Sequence, residues 1–356
     1  MFWRYASRSL FVFLALAVIV IGTIVIYLSM PAWTPPFRDA QDRRLPNSIA
    51  SIERWRLNGV EQSVILRGRN VANPLIVWIH GGPGISETPL LRHYNAALED
   101  RFVVVYWDQR YAGQSLDPFG PKPTHEDVSE YVSDLDALIL RLRARFHRDK
   151  VVLIAHPWGT FPGILYAEAH PGHLFAYVGI EQVADSPESE RRSRAFVLAQ
   201  ARMHHDADDV ARLVKPPGND SLIYTPRDLL EKYGGSFHAN VGIGTLALIT
   251  ARASEANWRN FAAVALNADF NMPAIRESSN AVLDERHTRF SVPVFFVSGR
   301  YDHQVEASLS YRYFLRISAP EKRFVWFEKS GHAPPFEESE RFNAWVTHVV
   351  LPLAHR

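Results

Sequence analysis

The chain has 356 residues, 47% of them hydrophobic and 12% aromatic, which is enough for one large α/β domain with an insertion or for two modest domains. Its formal net charge is +1 and it contains no block of Lys or Arg, which argues against nucleic acid as the main partner. The absence of cysteine excludes disulfide bonds, thiol catalysis and cysteine-bound metal.

The first predicted element is a single membrane-spanning helix near the N-terminus. Residues 10–28 carry no charge and are mainly Leu, Val, Ile, Phe and Ala, and roughly 20 such residues span a bilayer core. Arg4 and Arg8 precede them, which favours a cytoplasmic N-terminus and a soluble domain on the extracytoplasmic side. A cleaved signal peptide is the rival interpretation, but the run is long and no small-x-small site follows it. We therefore expect an anchor over residues 1–33 and a proline-containing linker over 34–47.

Beyond the linker, short apolar runs alternate with amphipathic helical patterns. Such runs are typical of strands that are buried on both faces of a sheet. An apolar stripe over residues 128–142 predicts one helix, with Thr124 and Asp127 as candidate capping residues, and the same spacing over 342–350 predicts another. This alternation indicates a mostly parallel sheet with helices on both faces. The predicted strands are 75–79, 102–107, 151–154, 176–180, 294–297 and 324–327.

One stretch, residues 185–289, breaks this alternation. It contains helical patterns at residues 191–203 and 228–233 but no convincing buried strand. An inserted helical cap between two strands of the sheet explains this best. The predicted core therefore consists of residues 48–184 and 290–356.

Two motifs follow consecutive predicted strands. The first is His-Gly-Gly-Pro-Gly at residues 80–84, where glycines let the backbone approach a ligand and point N–H groups at it. The second is Asp-Gln-Arg-Tyr-Ala-Gly-Gln-Ser at residues 108–115. Within it, Asp108 and Arg110 can pair with each other or with their neighbours, so we expect both to hold the loop.

This pair of motifs resembles the signature of the prolyl iminopeptidase-like α/β-hydrolases. The resemblance extends from about Ala72 to the C-terminus and implies an α/β-hydrolase fold. In such proteins a Ser-Asp-His triad hydrolyses a small amide or ester and often releases an N-terminal proline. The resemblance also implies that the backbone N–H of Gly82 is one donor of an oxyanion hole.

The acid and the histidine of such a triad have candidates in matching contexts. Asp302 ends the sequence Ser-Gly-Arg-Tyr-Asp just beyond the predicted strand 294–297, and His332 ends Ser-Gly-His just beyond the strand 324–327. A histidine that comes last in the chain fits the order of this fold. Because neighbouring parallel strands end at one edge of a sheet, we expect Asp302 and His332 to meet there.

The nucleophile position departs from the family pattern. Residues 151–160 align with the nucleophile elbow, which reads Gly-His-Ser-Trp-Gly-Gly in the family, but Pro157 stands in place of the serine. Pro157 has no hydroxyl for His332 to activate. Proline also holds φ near about −65°, whereas the elbow residue needs a positive φ. We therefore expect this turn to relax and to move Trp158, which by the resemblance is the second oxyanion donor.

Other polar residues are candidates for roles in the site. Thr160, Ser86 and Ser115 carry hydroxyls, but nothing in the sequence pairs them with a base. His156 is expected to pack against a strand, and His303 to lie at the rim beside the acid. Family members that bind a free amino terminus use cap carboxylates, and the sequence gives no basis to choose among Glu181, Glu188, Glu190 and Glu255.

Three functions remain open on the sequence alone. The first is a membrane-anchored hydrolase of small amides or esters, in which Pro157 is a variant of an otherwise working site. The second is a non-covalent lyase or cyclase in which Asp302 and His332 act as a general base. The third is a catalytically inactive protein that binds a small molecule or a peptide. We expect neither a cofactor nor a metal in any of them.

Overall fold

A computed structural model of the chain describes residues 13, 15–23, 26, 30–123, 127–214, 225–238 and 241–355. The predicted membrane segment, residues 10–28, lies partly outside these ranges, and the candidate capping residue Thr124 lies outside them. Within these ranges no helix is long and apolar enough to cross a membrane. The transmembrane helix therefore stays a prediction.

An eight-stranded sheet forms the centre of the molecule. Its strands are β1 (Ile49–Leu57), β2 (Val60–Gly68), β3 (Leu75–Ile79), β4 (Val103–Asp108), β5 (Val151–Ala155), β6 (Leu174–Ile180), β7 (Val294–Gly299) and β8 (Lys322–Phe327). Their order across the sheet is β1-β2-β4-β3-β5-β6-β7-β8. β1 and β2 form an antiparallel hairpin, β2 pairs with β4 antiparallel, and the later pairs are parallel, so the sheet is mostly parallel as predicted.

The six predicted strands are present as β3 to β8, each within two residues of its expected bounds. The prediction that the last of them is buried on both faces is wrong, because β8 is an edge strand and only Phe327 in it is fully buried. The hairpin of β1 and β2 was not predicted at all. In β1 only Trp55 and Leu57 are buried and the other residues are half-buried or exposed, so this strand contains no continuous apolar run.

Helices cover both faces of the sheet and bury two separate apolar clusters against it. In the core the helices are α1 (Thr88–Tyr94), α2 (Val128–Phe146), α3 (Thr160–Ala169), α10 (Ala307–Arg316), α11 (Pro334–Glu337) and α12 (Ser339–Trp345). One face is covered by α2, α3 and α10 and the other by α1, α12 and the turn that follows α12. Asp127 caps α2 by accepting the N–H of Ser129. The predicted last helix stops at Trp345 and continues as a π-helical turn, Val346–Val350.

Six helices and no strand occupy the described residues between β6 and β7. They are α4 (Ser186–Met203), α5 (Ala207–Val214), α6 (Arg227–Lys232), α7 (Ile243–Arg252), α8 (Trp258–Ala265) and α9 (Asn267–Ser279). Asp185 caps α4 by accepting the N–H of Glu188, one residue after the predicted core segment 48–184 ends. We refer to this helical insertion as the cap.

Candidate functional site

The carboxyl edge of the sheet gathers the side chains and loops of the candidate site. Gly82 follows β3, Pro157 follows β5, Glu181 follows β6, Asp302 follows β7 and His332 follows β8. Because these five strands are adjacent and parallel, their following loops converge on one region.

Asp302 and His332 meet as the sequence predicts. Nδ1 of His332 lies 3.0 Å from Oδ2 of Asp302, and both residues are buried, with 5% and 1% of their surface exposed. The other carboxylate oxygen of Asp302 accepts the backbone N–H groups of Gln304 and Val305. Burial alone would raise the pKa of Asp302, but the electrostatic attraction of His332 and its hydrogen bond lower that pKa to about 2. Asp302 is therefore ionised and fixes the orientation of the imidazole.

Two glycines hold the loops of this pair together. A Cβ atom added to Gly299 would lie 1.9 Å from the carbonyl oxygen of Gly331. No side chain fits into that gap, since the backbone on the other side cannot move without shifting His332. The close backbone contact thus sets the position of Asp302, three residues after Gly299, relative to His332.

The second ring nitrogen of His332 has a partner that sequence reasoning missed. Nε2 of Gln304 lies 2.9 Å from Nε2 of His332. Oε1 of Gln304 accepts the hydroxyl of Ser236, a cap residue whose carbonyl also accepts the backbone N–H of His332. With the Gln304 amide donating to Nε2, the ring proton of His332 lies on Nδ1 and points to Asp302. The nitrogen that would take a proton from a nucleophile is occupied by this amide.

The turn after β5 has the relaxed form that we expected for a proline. Pro157 opens a 3₁₀ turn, Pro157–Gly159. None of these three residues is among the described residues with positive φ. The hydroxyl of Thr160 donates to the carbonyl of Pro157 and so stabilises this turn. A Cβ atom on Gly81 would lie 2.5 Å from Cδ of Pro157, which places the proline ring directly against the glycine loop.

Two backbone donors face this region without acceptors. Gly82 adopts a φ of +113°, which only glycine tolerates well. Neither the N–H of Gly82 nor that of Trp158 has a hydrogen-bond partner within the described part of the chain. Unpaired N–H groups at a strand-to-helix turn can bind a carbonyl oxygen or a carboxylate.

A cavity of about 240 Å³ opens beside these donors, between the core and the cap. Of the described residues, Gln304 lines this cavity and His332 does not, so the Gln304 side chain separates the imidazole from it. Glu190 also faces the cavity, where its carboxylate is bound by Arg227 at 2.5 Å and by the N–H of Thr225 at 2.8 Å. The remaining lining residues are Gly82, Pro157, Trp158, Val183, Ala184, Asp185, Ser186, Ser189, Ile275, Ser278, Ser279, Val305 and Leu309.

The sequence matches a family model described as the alpha/beta hydrolase fold over residues 74–339. The chain belongs to the α/β-hydrolase fold family. A probable aminopeptidase, YbaC, of Bacillus subtilis (strain 168) is 28% identical over 83% of this chain and 94% of that protein. A proline iminopeptidase of Heyndrickxia coagulans is 23% identical over 77% of this chain and 88% of that protein. The crystal structure of proline iminopeptidase from Mycobacterium smegmatis has a TM-score of 0.61 at 20% identity and covers 86% of this chain and 98% of that one. The resemblance to prolyl iminopeptidases is thereby confirmed.

None of the three candidate hydroxyls in this α/β-hydrolase pairs with His332. Ser86 donates to the carboxylate of Asp108. Ser115 donates to the carbonyl of Asp108 at 2.6 Å and accepts the N–H of Ser63. Thr160, besides its bond to Pro157, accepts the N–H of Val183 at 3.0 Å. Each hydroxyl therefore holds a loop in place.

The other predicted residues also have structural partners. His156 forms an ion pair with Glu87 at 2.7 Å. Burial would lower the pKa of the imidazole, but the Glu87 carboxylate raises it. His303 bonds Glu306 at 3.0 Å and stacks on Phe196. In the second motif, Asp108 bonds hydroxyls and a backbone N–H, whereas Arg110 pairs with Asp134 and Glu130, so both hold loops as expected.

The candidate cap carboxylates are neutralised by arginines. Glu188 pairs with Arg192, Glu255 pairs with Arg92, and Glu190 pairs with Arg227. A carboxylate that already holds a guanidinium is a weaker partner for a free amino group.

Glu181 is a different case, because it lies at the end of β6 and not in the cap. It is fully buried at a φ of +50° and accepts the hydroxyl of Ser298 and the N–H of Gly299. Burial and, after it, the negative charge of Asp302 raise the pKa of Glu181 well above its usual value. Burial and the nearby Asp302 carboxylate therefore favour the protonated form of Glu181 over the ionised form.

Proposed function

We propose that this chain is a membrane-anchored member of the prolyl iminopeptidase-like α/β-hydrolases that binds small amides, esters or N-terminal peptide segments without forming an acyl-enzyme. In this proposal Pro157 occupies the nucleophile position. The ligand would lie in the cavity between core and cap.

The observation that carries the proposal is the hydrogen bond between Gln304 and His332. A covalent mechanism needs a hydroxyl on Nε2 of the histidine. Here a carboxamide lies on that nitrogen at 2.9 Å, and the residue after His156 is a proline without a hydroxyl. Ser236 fixes the amide through its Oε1. The hydrogen bond from Gln304 thus occupies the nitrogen of His332 that would activate a nucleophile.

Two backbone N–H groups and the cavity beside them support a ligand-binding role. The N–H groups of Gly82 and Trp158 are available to a carbonyl oxygen in the described structure. The cavity offers apolar walls from Ile275 and Leu309 and hydroxyls from Ser186 and Ser189. Apolar walls with a few convergent polar groups are typical of small-molecule sites.

The proposed anchor rests on the N-terminal sequence and on the way the linker begins. Residues 10–28 form the uncharged apolar run. Immediately after it, the N–H of Trp33 donates to the carbonyl of Ser254, and the hydroxyl of Thr34 donates to Glu255, so the linker starts against the cap. We expect the protein to remain in the membrane fraction after alkaline extraction. Removal of residues 1–33 should release it, and release of the unaltered chain would contradict the anchor.

Calorimetry with prolyl amides, aminoacyl amides and simple esters tests the binding function. The unaltered chain should bind at least one of them at one site per chain and release it chemically unchanged. Ile275→Trp fills the cavity and should abolish binding, whereas Val264→Trp, at an exposed cap position, should not. Binding that survives Ile275→Trp would place the ligand elsewhere.

A second candidate, general-base chemistry without a covalent step, is favoured by the ionised Asp302 and its bond to His332. It requires Gln304 to leave Nε2 of the imidazole. Turnover by the unaltered chain that disappears in His332→Ala would establish this candidate. Equal product formation by both proteins would exclude it.

A further inference from the structure

A second cluster of functional side chains lies at the opposite edge of the sheet from the candidate site. His170 follows the last residue of α3, and His173 ends the 3₁₀ turn Pro171–His173 that leads into β6. Asp136 lies on α2, which packs beside α3. Since β6 is seven residues long and a strand rises about 3.3 Å per residue, the cluster is roughly 20 Å from the site at its other end.

We propose that Asp136, His170 and His173 form a binding site for a divalent transition-metal ion of the zinc type. This site is independent of the proposed function. Its metal would tie α2 to the turn that starts β6.

The backbone brings the two imidazoles to one side. Residues three apart on a 3₁₀ turn lie one above the other, and the rings of His170 and His173 are stacked with 5.5 Å between centroids and 14° between planes. Nδ1 of His173 lies 3.5 Å and Nδ1 of His170 lies 3.9 Å from Oδ1 of Asp136. The three ligand atoms lie within 4.8 Å of one another.

These separations suit a tetrahedral ion after a small contraction. Metal–ligand bonds of about 2.1 Å place neighbouring ligands roughly 3.4 Å apart in a tetrahedron. The side chains of Asp136, His170 and His173 are 24–35% exposed, so they can adjust and a fourth position is open to water. Two imidazoles and one carboxylate are also the donor set that zinc accepts when it keeps an open position.

Tyr166 is a shared partner of two of the three ligand side chains. The hydroxyl of Tyr166 now bonds Asp136 at 3.0 Å and His173 at 2.9 Å. A metal ion bound to Asp136 and His173 would take the place of this hydroxyl as their common partner.

Arg143 provides the sharpest test of the electrostatics. It lies on α2 seven residues, or about two turns, after Asp136 and so on the same face of the helix. There its positive charge repels a bound divalent ion. Arg143→Gln should therefore tighten zinc binding several-fold. This gain would not be seen for zinc held by scattered surface histidines.

The experiment is zinc titration of the full, tag-free, chelator-treated chain by calorimetry. We expect one zinc per chain, with affinity reduced at least ten-fold in His170→Ala and in His173→Ala and unchanged in His204→Ala, whose imidazole is exposed on the cap. Asp136→Asn tests the third ligand with little change of shape. Cobalt(II) should give the intense visible absorption of a tetrahedral site, and it should be lost in the same variants. Failure of the unaltered chain to bind zinc, or equal binding by the His170 and His173 variants, would overturn the proposal.

Discussion

Replacement of Pro157 by serine should convert this chain into a hydrolase. Removal of a triad serine costs about a million-fold in kcat. Two features of the structure reduce the part of this rate that Pro157→Ser can recover. The 3₁₀ turn must change to the strained elbow with a positive φ, which costs about 1–3 kcal/mol, or roughly 5-fold to 150-fold. The new hydroxyl must also displace Gln304 from His332, which costs about 0.5–1.5 kcal/mol, or roughly 2-fold to 13-fold.

The two costs leave a gain of about a thousand-fold to a hundred-thousand-fold in kcat/KM for Pro157→Ser, relative to Pro157→Ala. The alanine variant is the matched control, because it frees the backbone in the same way but adds no hydroxyl. Addition of Gln304→Ala to the serine variant should raise the rate about 2-fold to 10-fold further. The assay is release of a chromophore from prolyl amides and simple esters. Equal rates for the serine and alanine variants, with both folded by circular dichroism, would refute the reasoning.

Three further predictions concern the support of the site. His332→Ala leaves the buried Asp302 carboxylate without its partner and should lower the free energy of unfolding by about 3–5 kcal/mol at neutral pH, measured with denaturant. Gly299→Ala should lower the free energy of unfolding by about 1–3 kcal/mol or more, because its Cβ meets the carbonyl of Gly331. The control Gly244→Ala has open space around it and should leave the free energy of unfolding unchanged or raise it. Because the pKa of Glu181 is raised, the folded protein keeps a proton on this carboxyl group at pH values where the unfolded chain has released it. The free energy of unfolding therefore falls as the pH rises from about 4.3, the pKa of Glu in the unfolded chain, towards the pKa of Glu181 in the folded protein. Glu181→Gln should flatten this fall in a pH series of unfolding curves, and an unchanged slope would mean that Glu181 is ionised.

The sequence was sufficient for the parts of the fold that depend on continuous or periodic patterns. Buried parallel strands read as short apolar runs, and this located β3 to β8. Because neighbouring parallel strands end at one edge of a sheet, the positions of β7 and β8 in the chain are enough to place Asp302 near His332. The hairpin of β1 and β2 was missed although Asn58-Gly59 lies at its turn, with φ of +44° and +87°, and this dipeptide between alternating residues is a strong hairpin signal.

The partners of His332 and Asp302 could not be found in the same way. The contact of Gln304 with His332 depends on the loop after β7 and on Ser236, which reaches the site from the cap across many residues of chain. Its geometry follows from tertiary packing and leaves no pattern in the sequence. Glu181 was considered only as a cap carboxylate, because its burial against Asp302 depends on the end point of β6.

Intact-mass analysis after treatment with a fluorophosphonate probe tests the central claim most directly. The claim is that this α/β-hydrolase has no activated serine as long as Pro157 and Gln304 are in place. We predict no covalent adduct on the unaltered full-length chain and one adduct, mapped to position 157, on Pro157→Ser. An adduct on any serine of the unaltered chain would contradict the account.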